Sequence, residues 1–121
     1  MVAETTKRIP LPPVNDTLLR EIVERIVAAF HPRRIILFGS RARAESRPDS
    51  DVDLLVEMEA LADQPRWKRR LQIDRLFEKR WWPMDILVYT PGEMAERRWS
   101  LVSIVPSVEQ EGKVLYERRG D

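Results

Sequence analysis

The chain has 121 residues, enough for one domain with its own core, and 43% of them are hydrophobic. Its 21 basic and 20 acidic residues nearly cancel, which argues against a general nucleic-acid coat protein. It has no cysteine, and no apolar run approaches the roughly 20 residues of a membrane helix. We therefore expect one cytoplasmic domain over residues 1–121, with no membrane or direct nucleic-acid partner.

The first predicted elements are a helix and a buried strand. Residues 1–14 are rich in proline and are predicted to form an extended lead-in. Apolar residues then recur at helical spacing over 16–30, and Asn15 or Asp16 can cap this helix. Residues 34–38 are nearly all apolar, which indicates a strand buried on both faces.

The middle of the chain continues this alternation of helices and strands. Residues 39–50 connect the first strand to a second at 51–57, and this link is too short for a standard parallel crossover. We expect an antiparallel pair. A helix is then predicted from a cap at Asp63 to about residue 80. Its predicted apolar face consists of Trp67, Leu71, Ile73, Leu76 and Phe77.

This second helix is strongly basic, and its charge has two interpretations. It can be a solvated face whose aliphatic stems cover apolar surface, or a docking face for an acidic partner or polyanion. The adjacent pair Trp81-Trp82 is likewise either part of the core or part of a docking surface.

The last third of the chain predicts a strand, two helices and a short final strand. The strand covers 84–89, and Thr90-Pro91-Gly92-Glu93 has the form of a capping box. The predicted ranges that follow are a helix to about 98, a helix over 100–111, a strand or extended segment over 114–116 and a frayed tail over 117–121. The order predicts an α/β (α+β) fold, a small mixed β-sheet flanked by helices.

Two short motifs lie at the ends of neighbouring predicted strands. Gly39-Ser40 follows the first strand, and Asp51 and Asp53 open the second, on one face because they are two residues apart. Asp85 lies near the start of the third strand. Carboxylates beside buried strand residues are costly unless paired or metal-bound, and like charges on one face repel. The pattern predicts a site for two Mg²⁺ ions, which prefer oxygen ligands.

The glycine-serine turn is predicted to bind phosphate groups. Glycine lets backbone N–H groups approach a phosphate closely, and Ser40 adds a hydroxyl donor. Arg41 and Arg43 follow and can neutralise the charge of a triphosphate. Asp85 can share a metal ion or take the proton from an attacking hydroxyl. The alternative interpretation is a polar turn with aspartate caps at the strand ends, because each motif is common by chance.

These motifs together resemble a known family. Gly39-Ser40, ten intervening residues and then Asp51-Val52-Asp53 is similar to the signature of the polymerase-β-like nucleotidyltransferases. The segments 40–43 and 50–56 resemble the minimal nucleotidyltransferases, the MntA-type antitoxins usually encoded beside a HEPN-domain toxin of the HepT type. The resemblance covers roughly residues 16–117.

The resemblance implies a fold, a reaction and a partner. Asp51 and Asp53 would be Mg²⁺ ligands, with Asp85 as the third carboxylate and candidate base. Gly39 and Ser40 would contact the phosphates of ATP. The reaction would transfer AMP from ATP to a tyrosine hydroxyl of the partner toxin, an RNase, and pyrophosphate would leave. The chain would act in a hetero-oligomer with that toxin, or as a homodimer.

Other functions stay open at this stage. Many relatives have glycine where this chain has Ala44, and alanine would cost about 1 kcal/mol and lower activity if the backbone there is left-handed. The chain is too short for a second domain that grips a small substrate, so we expect a protein acceptor. The alternatives are a module that neutralises a toxin by contact, and an enzyme that nucleotidylates a small molecule.

Overall fold

The structure is a computed structural model, and it describes residues 14–43 and 50–119. A four-stranded mixed sheet carries helices on both faces, which confirms the predicted fold class. The strands are β1 (Arg34–Phe38), β2 (Val52–Glu57), β3 (Met84–Tyr89) and β4 (Lys113–Glu117). The helices are α1 (Asp16–Phe30), α2 (Arg66–Asp74), α3 (Pro91–Arg97) and α4 (Val105–Glu111). Apart from Val14, the predicted lead-in lies outside the described residues.

The strands lie in the order β3-β2-β1-β4, so β1 and β2 form the centre of the sheet. β1 is antiparallel to both neighbours, as the short link to β2 predicts. β2 and β3 are parallel, and the connection between them contains α2. Because β2 and β3 are parallel, their amino-terminal ends lie next to each other at the same end of the sheet.

The core consists of two layers, one on each face of the sheet. Side chains of α1 and α2, such as Ile26 and Ile73, pack on one face against alternate residues of the strands. Met94 of α3 and Val108 of α4 pack on the other face, with Leu55 of β2. Because side chains alternate along a strand, Asp53 shares this second face with Leu55.

Local hydrogen bonds fix the ends of two helices where the sequence predicts them. Asn15 Oδ1 accepts from Leu18 N at 2.9 Å and caps α1. Thr90 Oγ1 accepts from Glu93 N at 3.1 Å, while the Glu93 carboxylate accepts from Thr90 N at 2.9 Å. This reciprocal pair is the predicted capping box of α3.

The second helix differs from its prediction in extent and in orientation. α2 begins after Pro65 with no side-chain cap, so the predicted cap at Asp63 is wrong. It ends at Asp74, and a 3-10 turn at Arg75–Phe77 follows. Trp67, a member of the predicted apolar face, is 64% exposed, whereas Arg69 is buried. The spacing of apolar residues does not reveal which face of α2 is buried, because an arginine occupies the buried position and its partners lie in other elements.

The end of the chain also differs from its prediction. α4 begins at Val105 rather than near residue 100, and Leu101 and Val102 in the preceding turns are almost fully exposed. β4 is a true strand that includes Glu117, where the sequence suggested a frayed tail, and Arg118 N donates to Arg33 O at 2.8 Å.

Candidate active site

The turn after β1 brings its glycine against β2. Phe38 and Asp53 are partners in the antiparallel register of β1 and β2, and Gly39 is the next residue. Gly39 has a φ of 75°, in the left-handed region that favours glycine. A Cβ at this position would overlap Asp53 Oδ2 and lie 3.3 Å from Asp53 Cγ. The turn therefore requires glycine both for its backbone conformation and for the approach of the carboxylate.

The parallel pairing of β2 and β3 brings two of the predicted carboxylates side by side. Asp53 and Asp85 are register partners on neighbouring strands, and Asp51 lies exposed just before β2. Burial raises the pKa of Asp53, and the negative charges of Asp51 and Asp85 raise it further, while Arg41 opposes them. The predicted side chains therefore interact electrostatically, and the repulsion among them is the kind that a cation relieves.

Asp85 has an ion-pair partner that the sequence did not indicate. Arg70 Nη2 of α2 lies 2.9 Å from Asp85 Oδ1, and Arg70 Nε lies 3.6 Å from Asp74 Oδ2. Both Arg70 and Asp85 are about half exposed at the side chain. Sequence reasoning placed Arg70 in a basic helix, but no spacing or motif connects it with Asp85.

Arg41 supports the loop that precedes β2. Its Nη2 donates to Ser50 O at 2.6 Å, and its Nε lies 3.2 Å from both Ser50 O and Asp51 O. These bonds hold the backbone at the start of β2 close to the turn that follows β1. The predicted contact of Arg41 with a triphosphate stays a prediction, as does that of Ser40, which lies half-buried in the same 3-10 turn.

Arg43 lies beside the glycine turn but on the side of α4. It is exposed, and it lines a cavity of about 190 Å³ together with Gly39, Ile104 and Ser107. Ala44, the departure from the family pattern, lies outside the described residues, so the backbone conformation proposed for it stays untested.

The donors at this site suit a hard divalent cation. Asp51, Asp53 and Asp85 offer carboxylate oxygens, which Mg²⁺ prefers, and their mutual repulsion indicates an unneutralised negative charge. Over residues 14–43 and 50–119, however, no group of three or more acidic, histidine or cysteine side chains has the arrangement of a formed metal site. The Asp85 carboxylate is instead paired with Arg70 of α2.

Comparison with known proteins agrees with the geometry. The model of the family described as "Nucleotidyltransferase domain" matches residues 18–115, and the chain belongs to this family. The matched range contains the glycine turn and all three carboxylates. No curated protein gives a significant match.

Two solved structures share the fold. A protein from Sulfolobus solfataricus, assigned as a nucleotidyltransferase, superimposes with a TM-score of 0.61 and 22% sequence identity, over 84% of this chain and 79% of that one. A crystal structure described as a toxin-antitoxin with AMP-PNP gives a TM-score of 0.50 and 19% identity, over 82% of this chain and 73% of that one. Within the described part of this chain, no helix is long and apolar enough to cross a membrane.

Proposed function

We propose that the chain transfers AMP from ATP to a tyrosine hydroxyl of a HEPN-type partner toxin and so acts as its antitoxin. The observation that carries the proposal is the register pairing of Asp53 with Asp85 beside Gly39, in a member of the nucleotidyltransferase family. The similarity to a toxin-antitoxin structure with AMP-PNP supports a protein partner and an adenine nucleotide. Because the reaction consumes ATP, we expect it in the cytosol.

Each part of the site has a role in this reaction. Mg²⁺, when bound by Asp51 and Asp53, would neutralise the triphosphate and stabilise the attacking and leaving oxygens. The backbone of Gly39 and the hydroxyl of Ser40 hold phosphate oxygens beside these carboxylates. Asp85 accepts the proton of the attacking hydroxyl, or shares a metal ion with the other two carboxylates.

The bond changes balance without a further reactant. The acceptor oxygen forms a bond to the α-phosphorus of ATP, and the bond from that phosphorus to the bridging oxygen of the β-phosphate breaks. Pyrophosphate leaves, and the proton of the hydroxyl passes to a carboxylate of the site. In-line displacement of this kind depends mainly on positioning, which the strand register would provide, and on charge neutralisation, which Mg²⁺ held by the carboxylates would supply.

The test is transfer of label from ATP to a HEPN-type protein. The chain is incubated with this protein, Mg²⁺ and each of the four nucleoside triphosphates labelled at the α-phosphate. Asp51→Asn and Asp53→Asn should each abolish the label, and removal of Mg²⁺ should do the same. Asp63→Asn, an exposed residue of the loop before α2, is the matched control and should retain full transfer. Label that persists in both site variants would overturn the proposal.

A second candidate function is neutralisation by contact alone. The observation in its favour is the exposed apolar side chains of Trp99, Leu101 and Val102 between α3 and α4, which are suited to a protein interface. The same variants separate the two functions. Asp53→Asn would still inhibit the toxin if contact is sufficient, and it would lose inhibition if modification is required.

A further inference from the structure

A groove of about 670 Å³ lies between the first turns of α2 and the outer strand of the sheet. Arg66, Trp67 and Arg70 line it on the helix side, and Leu87, Val88 and Tyr89 line it on the strand side. It is separate from the cavity that Arg43 and Gly39 line on the other side of the candidate active site.

The charge of the groove is unbalanced. In the described part of the chain, Arg66, Arg69 and Arg70 line it against the single carboxylate of Glu93. Arg69 is buried and donates to Glu93 Oε1 at 2.7 Å, so this pair is internally neutral. Arg66 and Arg70 are exposed, and Arg66 lies 5.1 Å from the centre of the Tyr89 ring. Arg70 is paired with Asp85, so the exposed cation of Arg66 is the local excess, and in a nearly neutral chain it would attract an acidic ligand.

The outer backbone groups of Ile86 and Val88 are not available to a ligand, because both residues are buried. Pro83 O accepts from Val52 N, and Tyr89 O accepts from Met58 N, both at 2.9 Å, so the odd-numbered residues of β3 direct their backbone groups towards β2. Those of Ile86 and Val88 therefore point away from β2, and β3 pairs with no other strand in the described sheet. Arg69 Nη1 lies 3.5 Å from Val88 O, on this outer side.

The groove is continuous with the candidate active site. Arg70 lines the groove and also binds Asp85 at 2.9 Å, so one side chain connects the two. An acidic group bound in the groove would compete for Arg70 and leave Asp85 available for a metal ion or a proton. Trp67, 64% exposed on the same rim, offers an apolar surface beside this cation, as anchor residues of interfaces do.

We propose that this groove binds an acidic segment of the protein that carries the accepting hydroxyl. The inference rests on the proposed nucleotidyl transfer to a protein, and it adds how the acceptor is recognised. The acidic segment binds Arg66 on the rim of α2, it draws Arg70 away from Asp85, and it places the adjoining hydroxyl at the carboxylates. Recognition of the acceptor and completion of the site are then one event.

A binding measurement without ATP tests the groove by itself. The probe is a fluorescent synthetic peptide of glutamates around one tyrosine, and its fluorescence anisotropy is followed as the full chain is added. We expect Arg66→Glu to weaken binding by about tenfold or more, and added salt to weaken it further. Arg66→Gln, which alters the surface least, should weaken it by a smaller factor.

Arg20→Glu is the matched control, because Arg20 is an exposed arginine of α1 near β4, at the opposite edge of the sheet. It should bind the peptide as the unaltered chain does. The proposal is overturned if Arg20→Glu weakens binding as much as Arg66→Glu does. It is also overturned if a lysine-tyrosine peptide or single-stranded RNA binds as tightly, since the groove would then not select an acidic protein segment.

Transfer assays separate this inference from the function on which it rests. Peptide binding that depends on Arg66, without transfer to any acceptor, would leave the groove in place and contradict nucleotidyl transfer. Transfer to the HEPN-type protein that depends on Asp53 but is unchanged in Arg66→Glu would support the reaction and overturn the groove. Urea unfolding of both charge variants shows that neither result comes from misfolding.

Discussion

At the scale of single residues, Gly39 controls the approach of the turn to Asp53. We expect Gly39→Ala to lower the free energy of unfolding by about 1–2 kcal/mol, because the added Cβ overlaps Asp53 Oδ2 on a left-handed backbone. It should also abolish transfer by displacing that carboxylate. Urea unfolding and the labelled-ATP assay measure the two effects. Gly92→Ala is the control, since the nearest atom to its Cβ is Thr90 Oγ1 at 3.9 Å. Equal losses in both variants would contradict this role.

Glu109, which lies outside the candidate active site, is a second residue whose effect on stability can be measured. Its carboxylate accepts from Arg98 at 2.9 and 3.0 Å and from Arg34 at 2.8 Å, and so connects α4 with β1. The two hydrogen bonds from Arg98, and the one from Arg34, lower the pKa of Glu109 to about 2, although burial opposes them. Because the pKa of Glu109 in the folded chain lies below the ordinary 4.5, its contribution to stability is fully present above pH 4.5 and is lost as the pH falls towards 2.

Glu109→Gln should therefore lower the free energy of unfolding by about 1–2 kcal/mol at neutral pH. The difference from the unaltered chain should shrink as the pH falls from 4.5 to about 2. Urea unfolding at a series of pH values measures it, with the exposed Glu111→Gln as control. A difference that does not change with pH would show that the charge of Glu109 is not its cause.

At the scale of elements, one of two adjacent arginines fixes α2 to α3 and to the loop that precedes α2. Arg69 is 4% exposed and donates to the Glu93 carboxylate and to the carbonyls of Leu61 and Ala62, whereas Arg70 is about half exposed. Arg69→Met should lower the free energy of unfolding by about 3 kcal/mol, because it leaves buried partners unpaired. Arg70→Met should change it by about 0.5 kcal/mol. Similar losses in the two variants, measured by urea unfolding, would contradict this assignment.

Some of these elements could be predicted from the sequence, whereas the orientation of α2 could not. The capping box at Thr90 and the antiparallel pair of β1 and β2 were predictable, because their signals act over a few residues or depend on loop length. The orientation of α2 was not, because Arg69 is buried only through partners in other elements. The motifs identified Asp53 and Asp85, but these residues lie side by side only because of the register of β2 and β3. The ion pair of Arg70 with Asp85 depends on how α2 packs, which no local pattern reports.

At the scale of the whole molecule, the segment between α3 and α4 exposes apolar surface. Leu101 and Val102 are almost fully exposed, so they contribute little to the core. Replacing both with serine should change the free energy of unfolding by less than about 0.5 kcal/mol. It should also reduce the binding of a hydrophobic dye and the retention of the folded chain on a hydrophobic column. Unchanged retention, or a large loss of stability, would show that this surface is covered.

The register of β2 and β3 limits how the length of the chain can change. The exposed loops between these strands can become longer or shorter by a few residues, because a change in loop length costs little free energy. Deletion of Ile86, inside β3 and directly after Asp85, would instead shift the alternation of the side chains and turn this carboxylate towards the layer under α1 and α2. Among insertions and deletions, those in the loops should preserve activity, and those within the paired strands should remove it even where every carboxylate remains in the sequence.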